Sequence, residues 1–203
     1  MQQPDFFRDV RRITVRDPLA DFLGAAEGGL IEYGYEDAVK LAGHSCPTVA
    51  SAYLLSCHAL AALYPDQPPE RGGVRVAFGS HLEDGVTGVT ASIVTLLTGA
   101  AQDGGFKGIA GRFVRRGLQD FAADIPLAMR FARLDTGAGV DVQSDLSSVP
   151  PDAEMPELMA RCLRGDASGE TQRRFAALWQ ERVRRIVIDH ADDPAVFRIR
   201  TCG

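Results

Sequence analysis

From Pro47 to Tyr64 nearly every residue is apolar or small, and within Val49–Leu63 only Ser51, Ser56 and His58 interrupt the run. A helix that is apolar on every side has no face to give to water, so it belongs in the middle of a fold with other elements around it. Pro47 suits the first helical position, where a missing N–H costs nothing. Pro65, Pro68 and Pro69 end the run. The polar interruptions and the length argue against a bilayer span. With 203 residues and 45% hydrophobic content, the chain can build the surround as one domain, or as one domain with an appendage.

The flanking segments supply the surround. Asp17-Pro18 followed by Leu19, Phe22 and Leu23 predicts a short capped helix, broken by Gly24 and Gly28-Gly29. Leu30–Tyr33 reads as a short strand, Tyr35–Leu41 as a helical turn or two ending at Gly43, and Val74–Phe78 as an alternating strand. Residues 85–99 are rich in Val and Thr, yet Val89, Ile93, Leu96 and Leu97 fit one helical face and Thr98-Gly99 a helix stop; a helix is expected. Met129–Leu134 and Val140–Val142 read as strands joined by Thr136-Gly137-Ala138-Gly139, and Pro150, Pro151 and Pro156 mark a linker. From Ser168 to about His190, Phe175, Leu178, Trp179, Val183, Ile186 and Val187 share one helical face, and Arg173, Arg174, Glu181, Arg184 and Arg185 the other. Val196–Ile199 is a last strand candidate. The expected class is α+β: a mixed or antiparallel sheet packed with a buried central helix, plus a C-terminal amphipathic helix. Residues 1–150 are expected to form the main domain and 151–203 a helical extension packed on it.

A formal charge of −5 argues against binding nucleic-acid phosphates. The first residues lack the basic-then-apolar pattern of a signal peptide, and no membrane contact is expected, so a cytoplasmic location is the expectation. Cys46, Cys57, Cys162 and Cys202 are scattered, with no C-x-x-C pair. Cys57-His58 has the ending of a c-type haem motif, but Leu54 stands where its first cysteine is required.

The chemistry concentrates in Gly43-His44-Ser45-Cys46-Pro47. Pro47 at the first helical position places Cys46 at the cap, where unsatisfied N–H groups and the helix dipole favour a thiolate. Sulfur plus imidazole suits zinc or another divalent transition metal at His44 and Cys46. The alternative is a cysteine-dependent enzyme or redox protein, with Cys46 as nucleophile and His44 as its base and no metal. A closed zinc site takes four ligands, and His81, in the polar loop 80–85, is the candidate to extend the set. Glu83 and Asp84 there are expected to cap the following helix. His58 reads as a hydrogen-bonded core histidine, His190 as a cation at a helix end, and Cys57 and Cys162 as packing residues. Gly104-Gly105-x-x-Gly108 lacks the strand and the Lys-Ser/Thr ending of a phosphate loop. A third reading is an interaction module that dimerises or docks a partner through helix 168–190.

The stretch Leu41–Pro47 and the Ala/Leu-rich helix with Tyr53 resemble the G-H-x-C-P-G motif of FmdE-like proteins, a family that takes its name from a component of formylmethanofuran dehydrogenase. Ile93–Gly99 and Phe106-Lys107-Gly108 resemble that family's A-I-Q-x-x-T-G segment and its G-K-G-N turn. The likeness spans roughly residues 28–135. It implies an α+β domain, a metal site at the His-Cys turn that is often taken as zinc, and frequent homodimerisation; separately, an open coordination position on a metal held by two ligands would leave room for a small molecule there. It does not imply dehydrogenase activity. Thr48 replaces the family's glycine after the proline, Val89 and Ser92 stand where its cysteine and aspartate are expected, and Ala100 replaces the cysteine after Thr-Gly. No cysteine-rich zinc ribbon follows. His44 and Cys46 carry over; either His81 or solvent completes the site, or this branch has changed its chemistry.

Overall fold

The computed structural model describes residues 3–202. Its centre is the apolar helix. Pro47–Leu63 forms α3, capped by Cys46, and twelve of its side chains from Val49 to Leu63 are buried. Four earlier elements lead into it. Strand β1 (Ile13–Arg16) and strand β2 (Leu30–Tyr33) make a two-stranded antiparallel ribbon in which Ile13 faces Tyr33 and Arg16 faces Leu30. Helix α1 (Pro18–Phe22) lies between them in sequence, and helix α2 (Tyr35–Ala42) follows. The Tyr53 hydroxyl of α3 is shared between the carbonyls of Arg11 (2.7 Å) and Tyr33 (3.1 Å), which ties the ribbon to the central helix.

Beyond α3 come β3 (Val74–Phe78), α4 (Thr87–Thr98), β4 (Gln119–Asp120), β5 (Met129–Arg133), β6 (Gly139–Ser144), α5 (Met155–Arg164), α6 (Gly169–Arg184) and β7 (Phe197–Cys202). The main sheet runs β4-β3-β5-β6-β7; β3 and β4 are parallel and every other pair antiparallel. The expected α+β class with a mixed sheet and a buried central helix is therefore present. Residues 87–98 are helical despite their β-branched content, because Ile93, Val94 and Leu97 bury one face and Gly99 ends the helix at φ 72°.

The expected C-terminal helix is α6, started by the Ser168 hydroxyl accepting from Thr171 N–H at 3.1 Å, and it runs on into a π-helical turn at Arg185–Asp189. Val183, Ile186, Val187, Val196 and Phe197 sit in the same core as α3, and β7 pairs with β6 from Gly139↔Cys202 to Ser144↔Phe197. The segment after the proline linker thus supplies both a helix against the core and an edge strand of the main sheet. No helix among the described residues is long and apolar enough to cross a membrane.

Away from the apolar core, Asp17 organises a buried ion cluster. Its carboxylate caps α1 by accepting from the N–H groups of Leu19 (2.9 Å) and Ala20 (3.2 Å). It also accepts from Arg71 Nη1 at 3.0 Å and Arg115 Nη2 at 2.7 Å. Burial alone would raise the Asp17 pKa, but the Arg71 bond, the Arg115 charge and the two N–H groups outweigh it and hold the carboxyl below its usual value.

Candidate functional site

The turn between α2 and α3 is built by local rules. Gly43 closes α2 in the left-handed region at φ 75°, donating its N–H to the Val39 carbonyl at 2.9 Å. Cys46 then takes the N-cap with extended backbone, its Sγ accepting from Val49 N–H at 3.5 Å, and Pro47 opens the helix as expected. The turn is also held from outside. Ser45 Oγ is hydrogen-bonded to the Tyr35 hydroxyl at 3.0 Å. The Ser45 carbonyl accepts from the Trp179 indole N–H at 2.9 Å and from the Gln180 amide at 3.2 Å. Tyr35 is fully buried, and burial pushes its phenol up against the pull of the Ser45 bond, so it stays neutral.

Within this frame His44 is exposed and Cys46 is buried. His44 Nδ1 lies 2.9 Å from the Ala42 carbonyl. A carbonyl only accepts, so the bond requires the proton on Nδ1 and leaves the Nε2 lone pair free. Among the described residues His44 and Cys46 make no hydrogen bond to each other. His81 is exposed in the loop after β3, where its backbone N–H donates to Asp84 Oδ2 at 3.2 Å. Among the described residues no three His, Cys, Asp or Glu side chains gather into a group that could hold a metal, so His44, Cys46 and His81 do not form one.

One smaller expectation changes. Asp84 and Glu83 do not cap α4, whose N-cap is Val86 without a side-chain bond; Asp84 closes its own turn instead. His190 sits at the helix end as expected, with its Nδ1 2.9 Å from Asp193 Oδ2. His58 is the hydrogen-bonded histidine expected, with Nε2 at 2.7 Å from the Ala191 carbonyl and Nδ1 at 3.3 Å from Arg11 Nη1. Burial lowers its pKa. Cys57 is buried and its thiol is pushed up to about 12, chiefly by desolvation, while all four cysteines are free.

Sequence reasoning passes over the space beside the turn. A cleft of about 270 Å³ opens along the first turns of α3, walled by Thr48, Ser51, Leu55, Phe78, Thr87 and Met129. Ser51 is 7% exposed, and its hydroxyl has no partner among the described residues. In the sequence Ser51 is merely one of three interruptions in an apolar run, and only the packing of α4 and the sheet around it makes it a cleft residue.

No model of a known protein family matches the chain, and no curated protein matches it either.

Proposed function

We propose that the protein is a cytoplasmic metal-binding protein in which His44 Nε2 and Cys46 Sγ hold zinc or another divalent transition metal, with coordination positions left open to solvent or a small molecule. One observation carries the reading: the His44 Nδ1–H bond to the Ala42 carbonyl. Metal-ligating histidines almost always donate their other ring N–H in this way, which fixes the ring and raises the basicity of the free nitrogen. The chemistry of the donors agrees, since nitrogen and sulfur suit a borderline cation. The clamp on Ser45 by Tyr35, Trp179 and Gln180 keeps the two donors on a rigid base. The cleft that begins at Pro47 and Thr48, directly after Cys46, offers room for a small molecule. The four free cysteines suit a reducing compartment. The motif likeness of residues 43–47 to FmdE-like proteins supports the same site and a homodimer.

The test is elemental analysis of protein purified without chelator, with His44→Ala and Cys46→Ser prepared alongside. Stoichiometric metal in the wild type that is lost in both variants is the expected result. Metal missing from the wild type, or retained by either variant at the wild-type level, would sink the reading.

A further inference from the structure

Around Asp17 the fold gathers more positive charge than it neutralises. One carboxylate receives both Arg71 and Arg115. Arg71 spends its remaining donors on the carbonyls of Thr95 and Leu96. Arg115 does not: it is 6% exposed, and its Nη1 has no acceptor among the described residues. A buried guanidinium N–H without an acceptor is costly, so it points to a partner that arrives from outside. Gly72 lies bare against this nitrogen; a Cβ there would stand 2.2 Å from Nη1.

Gly72 and Arg115 line a groove of about 550 Å³, which is open to solvent and also walled by Arg16, Glu70, Arg71 and Arg112. Four guanidiniums there are matched by two carboxylates, Glu70, which pairs with Arg16 at 3.6 Å, and Asp17, which pairs with Arg71 and Arg115, an excess of two positive charges. Arg112 is presented by a tight turn. Ile109 and Arg112 exchange both backbone hydrogen bonds at 2.9 Å, and the residues between them, Ala110 and Gly111, have φ 49° and 78°. Phe113 is also left-handed, at φ 62°, and Arg112 lies 4.9 Å over its ring. Phe113, Val114 and Leu134 add an apolar wall to the same groove.

We propose that this groove binds a small phosphate monoester, with its phosphoryl oxygens held by Arg112 and Arg16 and drawn toward the unpartnered Nη1 of Arg115, and its organic part on Phe113, Val114 and Leu134. A monoester near neutral pH carries between about one and a half and two negative charges, roughly the local excess. Guanidinium forks match phosphate oxygens in geometry as well as in charge. The site is separate from the His44–Cys46 turn and shares no residue with it.

Calorimetric titration of the full chain with phenyl phosphate and with inorganic phosphate, in the presence of a chelator, tests the site. Phenyl phosphate is expected to bind more tightly than inorganic phosphate, and more weakly as salt rises. Arg112→Ala, at an exposed position, should lower its affinity by roughly tenfold or more. Binding of neither probe, or undiminished binding by Arg112→Ala, would overturn the proposal. Equal affinity for the two probes would refute the ester assignment. Capture of vesicles containing phosphatidic acid without affinity for phenyl phosphate would assign the chemistry to lipid headgroups and overturn the small-molecule reading.

Discussion

Replacing Asp17 by alanine removes a helix cap and the only carboxylate that reaches Arg71 and Arg115 at hydrogen-bond distance among the described residues. Breaking a buried ion pair by deleting one partner costs about 3–5 kcal/mol, because the other charge is left uncompensated. Losing an aspartate cap costs about 0.5–2 kcal/mol. The two overlap, since Oδ1 serves both Arg115 and the cap, and a loss of about 4–5 kcal/mol is expected. At about 2–4 °C per kcal/mol for a chain of this size, Tm should fall by roughly 8–20 °C. Asp17→Asn keeps the volume and a neutral acceptor for the cap and Arg115, so its own loss reports the missing charge. Urea unfolding gives the loss of each variant, and thermal unfolding the shift in Tm. The pH dependence adds a sign. With its folded pKa held below the usual 3.8, Asp17 contributes stability that is fully present above 3.8 and lost as pH falls through the lower folded value. The asparagine variant should lack that part of the acid limb. A loss below about 1 kcal/mol in Asp17→Ala would refute the reasoning, since Arg115 would then be hydrated as a surface charge is.

Trp179→Phe removes the indole donor to the Ser45 carbonyl and leaves Gln180 alone on it; stability should fall by about 1 kcal/mol, and the affinity of the proposed site for zinc, measured against a chromophoric chelator, by roughly tenfold. Unchanged affinity would uncouple α6 from the turn. His58 has a folded pKa below its ordinary 6.5, so its contribution is complete above pH 6.5 and declines as pH falls through the folded value. The decline has a slope of at most about 1.4 kcal/mol per pH unit. His58→Gln should flatten the stability profile on that acid side, and an unaltered profile would show that another group titrates there.

The parts of the molecule that can be read from sequence are those whose causes lie within a few residues. Gly43, Cys46 and Pro47 define the end of one helix and the start of the next by backbone geometry alone, and α3 announces itself by having no polar face. Strand β2 is readable, but its partner β1 is not: in Ile13–Arg16 only Val15 is fully buried, so the pattern carries little signal. Strand β4 is two residues held in parallel to β3, too short for any periodicity. Asp17 is legible as a cap for Pro18, whereas its partners Arg71 and Arg115 lie far along the chain and are joined to it only by the fold. The turn donors His44 and Cys46 stand out by residue type. The arginine groove does not, because its residues come from separate segments and the chain as a whole is acidic.

The hold of Trp179 and Gln180 on Ser45 sets an order of events during synthesis. The donors of the turn emerge early, but the side chains that fix it lie 134 and 135 residues further along the chain. Until then α3 also lacks Val183, Ile186, Val187, Val196 and Phe197 from its surround, and the β7 edge of the sheet is unmade. Such long-range closure is slow and leaves apolar surface open in the nascent chain. The wait bears on the turn's chemistry too: a ribosome-bound chain carries a sticky helix with a loosely held histidine and cysteine at its head. Chaperone dependence and readiness of the site should therefore end and begin together, when the final strand docks.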